Sequence, residues 1–409
     1  MSSRFNIVNK PKKIETEEDE TEEKEDELQE EKEAKKKDEN AKKKMMKFMT
    51  IIVGVFILLL VILFLCSIFI KKSFTYSEIE TIMKEAAISY FEDNKSALPA
   101  EDGDVVEIDV ANLVAAEKMK PLSEYTGENT SCSGSVQVEK SGTEYLYTPF
   151  LNCGDTYTTI ELHNHIVNEE TIKTTGYGLY SMDGSYVYRG ENVNNYVQLE
   201  NALWRIVKIT PNNNIVLIKA ESAGDFLPWD NRYNKDANYA AGINTYSASR
   251  IKDSLDELYK GTTEEAKQKT NLLSNSDKAK IVSYDLCVGK RGTTEVSKNN
   301  AVECKETLKD QKVGLLTLSD YMNASVDANC VNPSSLSCQN YNYLVAEFNW
   351  WTVTASSGST YEAYQIGEDG NIEITRTGNY SNLRPVIYLN SKALYQEGNG
   401  TIETPYIVK

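Results

Sequence analysis

Histidine is nearly missing from this chain: two residues, His163 and His165, in 409. That scarcity disfavours His-built metal centres and most imidazole acid–base chemistry. No G-x-G-x-x-G or G-x-x-x-x-G-K-[ST] run occurs, so the sequence offers no phosphate cradle for a nucleotide. C-x-x-C is also missing, which disfavours a zinc cluster. Basic residues are outnumbered, 44 Lys and Arg against 61 Asp and Glu, for a formal charge of -17. This balance argues against a nucleic-acid partner, whose phosphates need clustered cations. What remains is 40% apolar and 10% aromatic residues, enough to bury real cores.

From Phe48 to Ile70 the chain runs 23 residues without a charge. At 1.5 Å per residue that spans roughly 35 Å as a helix, the thickness of a bilayer core. Lys35, Lys36, Lys37, Lys42, Lys43, Lys44 and Lys47 precede it, against Lys71 and Lys72 after it. The positive-inside bias therefore places the N-terminus in the cytoplasm and everything from Ser73 outside. The leader before the apolar stretch is too long for a secretory signal, and no A-x-A cleavage site follows, so the segment is expected to remain as an anchor.

The leader, residues 1–47, has an acidic block followed by a basic one. Residues 1–50 hold 13 basic and 15 acidic side chains, so nearly all the net negative charge belongs to the part expected outside. Opposite charges four apart (Glu20/Lys24, Glu31/Lys35, Glu33/Lys37, Asp38/Lys42, Glu39/Lys43) favour a solvated helix running into the membrane. The leader is read as helical or disordered.

Six cysteines follow the anchor: Cys132, Cys153, Cys287, Cys304, Cys330 and Cys338. On an oxidising face thiols pair. Of the possible connectivities, three local pairs fit best: 132–153 across a hairpin, 287–304 across a polar loop, and 330–338.

The expected fold class is α+β: the transmembrane helix, a small membrane-proximal α+β module (73–165), and a larger β-rich distal module with long loops (171–409). In the first module Tyr76 to Asn94 sets Ile79, Met83, Ala86, Ala87 and Tyr90 at helical spacing. A strand at VVEIDV, a short helix near Asn112, and a hairpin turned at Ser141-Gly142 follow. In the second, Asp183-Gly184 marks one hairpin turn and Asn212 to Asn214 another. A helix is expected from a Ser247 or Ser249 N-cap to Gly261.

Several motifs together resemble an uncharacterised domain of bacterial surface proteins, frequent in gut Firmicutes: WRIVKI after NNYVQL, S-x-I-K-x-x-L, GLLTLSDYMNAS, NWWTVTASSG, and LRPVIYLN followed by GNGTIETPYIV. The likeness covers roughly 176–409. More remotely, that family is similar to the C-type-lectin-like and formylglycine-generating fold. Here no cysteine follows Cys338, so the reactive pair of the formylglycine enzymes is missing, and no E-P-N tripeptide supports the lectin calcium site. The order of membrane helix, amphipathic helix and small disulfide-bonded sheet is similar to pilins in architecture, without the prepilin cleavage site.

Candidate binding residues are aromatic, since rings offer a stacking face and a polar edge. Trp229, in a loop with Asp230, Asn231, Arg232 and Tyr233, is the leading ligand-contact candidate. Trp204 is read as core. Trp350 and Trp351 must point to opposite faces of a strand, which makes one buried and one, Trp351, exposed for binding. Arg384 before Pro385 is expected to brace a buried carboxylate. His163 and His165 read as two residues on one face of a strand, too few for a metal site. Ser249 and Lys252 match S-x-x-K, but an N-cap accounts for the serine. No catalytic group and no metal ligand set is assigned. The only cofactor considered is Ca²⁺ held by loop oxygens.

The functional expectation is a single-pass bacterial surface protein whose distal module binds a glycan, a wall polymer or a surface protein without catalysis. A component of a pilus-like or envelope assembly, or an extracytoplasmic enzyme, is the alternative.

Overall fold

The computed structural model describes residues 36–40, 42–61, 74–126, 131–200, 202–224, 226–233, 242–261, 273–296 and 298–409. Two compact units result, residues 1–75 and 76–409. In the first, helix α1 (Lys36–Val61) is long and apolar enough to cross a membrane by length and composition. Two of the expected charge pairs lie on it: Lys42 with Asp38 at 2.7 Å and Lys43 with Glu39 at 3.7 Å. The other three pairs, the end of the apolar run from residue 62, and Lys71 and Lys72 lie outside the described residues.

The second unit is α+β and β-rich. Helix α2 (Tyr76–Asp93) buries Ile79, Met83, Ala86, Ala87 and Phe91. Phe91, one position beyond the expected Tyr90, completes the stripe, because Tyr90 is only half-buried. The stripe packs on a three-stranded antiparallel sheet of β1 (Val105–Asp109), β2 (Ser133–Ser141) and β3 (Glu144–Asn152). Gly134 permits the approach of helix to sheet: a Cβ there would meet Met83 Cε at 2.7 Å and the Phe150 carbonyl at 2.8 Å. Cys132 and Cys153, at the open end of the β2–β3 hairpin, are joined, as are Cys287 with Cys304 and Cys330 with Cys338.

Helix α5 (Leu162–Glu169) comes next in the arrangement, after α3 (Val110–Ala115) and α4 (Ser123–Thr126). It replaces the strand expected at ELHNHIV. Leu162 and Ile166, four apart, are fully buried in the large core, and that helical pair outweighs the alternating pattern. His163 and His165 therefore point in different directions.

Around this core lie two larger sheets. One contains β6 (Tyr196–Leu199), β7 (Ala202–Ile209), β8 (Ile215–Lys219), β16 (Val386–Leu389) and β18 (Tyr406–Val408). β8, between β16 and β7, is buried at every residue, as a strand covered on both faces must be. The expected hairpin at Asp183-Gly184 joins β4 (Gly178–Met182) to β5 (Ser185–Arg189), both turn residues at positive φ (49° and 75°) as a type I′ turn requires. The second sheet runs β14 (Ile372–Arg376), β13 (Glu362–Ile366), β12 (Trp350–Ala355), β15 (Tyr380–Asn382), β9 (Phe226–Pro228), with β12 at its centre and β9 at one edge. Helix α6 (Arg250–Lys260) carries its expected caps: Ser249 Oγ accepts from the Lys252 amide, and Gly261 closes the helix.

Candidate functional site

Most of the aromatic residues singled out from the sequence are structural. Trp229 is fully buried, its Nε1 donating to the Thr352 carbonyl at 3.1 Å and its ring edge-on to Tyr246. Because the edge strand β9 delivers it directly into the core, Trp229 is not a surface contact. Asp230 is buried too, accepting from Arg232 Nε and the Ile243 amide, both at 2.8 Å. Asn231 is half-buried, while Arg232 is partly and Tyr233 well exposed, so only the end of the motif faces solvent. Trp351 is a second correction. Trp350 and Trp351 do point to opposite faces, but β12 is covered on both, and both rings are fully buried. Trp351 Nε1 donates to the Leu227 carbonyl at 2.9 Å.

The histidines serve packing. His163 is bonded to the Ser391 carbonyl at 2.9 Å, and His165 stacks on Tyr395 at 3.6 Å. Lys252 pairs with Asp256 at 2.7 Å, and Ser249 acts as the cap. Among the described residues no group of three or more His, Cys, Asp and Glu is placed to hold a metal ion.

A different locus stands out on electrostatic grounds. Arg205 lies on β7 directly opposite Tyr196 on β6, and its guanidinium sits over the Tyr196 ring at 4.3 Å and the Tyr343 ring at 4.6 Å. Asn195, fully buried, orients it: Arg205 Nε donates to Asn195 Oδ1 at 2.9 Å, and the Asn195 amide is held by the Ile206 carbonyl. Arg205 Nη1 and Nη2 each donate once, to the Tyr343 and Val193 carbonyls. A guanidinium carries five N–H groups, so one on each Nη is left over.

Below it Arg384, 1% exposed, corrects the expectation of a carboxylate brace. It donates instead to three backbone carbonyls, those of Lys219, Ala220 and Leu344, and lies 5.0 Å over the Trp350 ring. Lys219 is buried beside it and donates to the Ser222 carbonyl at 3.2 Å. Among the described residues none of these three cations has a carboxylate partner. Burial and the nearby Arg205 charge push the Arg384 guanidinium down to about 9, and burial lowers Arg205 and Lys219 as well. Both guanidinium groups stay charged at neutral pH, although an unpaired buried charge costs several kcal/mol of desolvation.

Arg205, Arg384, Tyr196 and Tyr343 border an open cavity of about 490 Å³, lined also by Glu221, Ser222, Ala346, Glu347 and Phe348. Glu221 and Glu347 are exposed at its rim. Two other cations are paired with acids: Lys208 with Asp320 at 2.6 Å and Arg291 with Glu303 at 3.2 Å. In the cleft of about 340 Å³ beside Lys208 the cation is thereby paired, and Asp320 Oδ2 also accepts at 2.8 Å from Thr317 Oγ1, the N-cap of the helix Leu318–Ala324. Aromatic walls and a guanidinium with N–H groups left over suit the first cavity to an oxygen-rich, negatively charged ligand.

No protein-family model, curated protein or solved structure matches this chain.

Proposed function

We propose that this is a single-pass bacterial surface protein, N-terminus in the cytoplasm, which displays a non-enzymatic binding module on the extracytoplasmic side. The apolar run from Phe48 and the lysines before it support the anchor and its direction. Three disulfides support an oxidising location for the second unit. The likeness of residues 176–409 to an uncharacterised surface family, itself remotely similar to the C-type-lectin-like and formylglycine-generating fold, supports a surface role, and the lack of a cysteine after Cys338 favours recognition, as an analogy of fold.

The single observation that carries the reading is the Arg205–Arg384 cavity, where buried positive charge meets aromatic walls in a chain whose net charge is -17. Attachment to a glycan or wall polymer through this cavity is the function it supports best. The test is a glycan and wall-polymer array probed with the wild-type protein and with Ala346→Trp, which fills the cavity mouth, each with and without Ca²⁺. Bound features that disappear in the variant support the reading. Uniform silence of the wild type, or an unchanged pattern in the variant, contradicts it.

A further inference from the structure

We infer that the Arg205 cavity takes a carboxylate-bearing sugar unit, the carboxylate meeting the two remaining N–H groups on Arg205 Nη1 and Nη2. This rests on the reading of the cavity as the contact surface and names the ligand class. Two tyrosine rings lie against the guanidinium, at 4.3 and 4.6 Å, and its two remaining N–H groups form a fork that matches two carboxylate oxygens. Arg384 and Lys219 sit deeper, holding carbonyls, and add long-range attraction without offering a competing fork at the surface.

The rim narrows the class. Glu221 and Glu347 border the same cavity and are exposed. They add negative charge at the rim and accept hydrogen bonds from hydroxyl groups, which disfavours an anion poor in hydroxyls. A ligand with one negative charge per sugar unit, set among hydroxyls, satisfies both the floor and the rim. Phe348 and Tyr196 offer apolar faces for the C–H side of a sugar ring. A cavity of about 490 Å³ admits one such ring with its neighbours at the mouth.

The test uses the full-length protein in lipid nanodiscs and titration calorimetry with four probes: tetragalacturonate, its methyl ester, a neutral cello-oligosaccharide, and a glycerol-phosphate oligomer. The expected result is that the acid binds at least tenfold more tightly than ester or neutral sugar, and more tightly than the phosphate oligomer. Arg205→Gln should abolish that preference, and Ala346→Trp, which removes no hydrogen-bonding side chain, should weaken the acid at least tenfold with an unchanged melting temperature. Equal binding of acid and ester, or tighter binding of the phosphate oligomer, overturns the ligand class while the cavity still stands if Ala346→Trp weakens those probes. Acid binding that survives both variants overturns the cavity itself.

Discussion

The ammonium of Lys409 donates to the carboxylate of Glu80, 329 positions earlier in the chain. Glu80 is 4% exposed on the buried stripe of α2, and it also accepts from Tyr157 Oη at 2.8 Å and from Thr159 Oγ1. Lys409 Nζ donates in turn to Tyr157 Oη at 2.7 Å. The residues after β18 are thereby tied to the first helix after the apolar run. Lys409→Met should destabilise the second unit by about 2 kcal/mol. That is less than the roughly 3–5 kcal/mol for breaking a dry pair, since two hydroxyls still serve Glu80 and Lys409 is partly exposed. Paired with Glu80→Gln in a double-mutant cycle of urea unfolding, the two changes should be strongly non-additive.

Acid should weaken the fold through His163. Burial pulls its imidazole below the usual range, partly opposed by its bond to the Ser391 carbonyl. The unfolded chain then takes up the proton more readily than the folded one. The contribution is complete above roughly pH 6.5 and is lost as pH falls below it. Urea midpoints should drop more steeply from pH 6.5 to 5 in the wild type than in His163→Gln, which can still donate to Ser391.

The tryptophans chosen from the sequence as ligand contacts should behave as core. Trp229→Ala and Trp351→Ala should each cost about 3–5 kcal/mol in thermal or urea unfolding, the range for large core truncations. Tyr233→Ala, at a side chain 67% exposed, should stay within roughly 0.5 kcal/mol of wild type.

These contrasts show what kind of information the sequence carries. Local features were readable: the three short-range cysteine pairs, the Ser249 and Gly261 caps of α6, and the Asp183-Gly184 hairpin each depend on residues within a few tens of positions. Burial on both faces was not. Trp351 and Trp229 look like surface aromatics until β12 is seen covered on each side and β9 is seen at the edge beside it. The alternation around His163 imitated a strand because only Leu162 and Ile166 mark the helix.

The cavity was illegible for a further reason. Tyr196 and Arg205 are a cross-strand pair, but Tyr343, in the loop before β12, and Arg384, between β15 and β16, join them from more than 130 positions further along the chain. The one trace in the sequence was Arg384 before Pro385. It suggested a buried carboxylate partner, whereas the guanidinium is held by carbonyls alone.

On the proposal that this cavity takes an acidic sugar, its charge sets the affinity, and a three-member series tests this most directly. Affinity for tetragalacturonate is to be compared in full-length wild type, Glu221→Gln, which removes a rim carboxylate, and Arg205→Gln, which removes the reachable cation. The predicted order is Glu221→Gln tightest, wild type next and Arg205→Gln weakest, with at least a tenfold gap between the last two and all differences shrinking as salt is raised. Three equal affinities would contradict it.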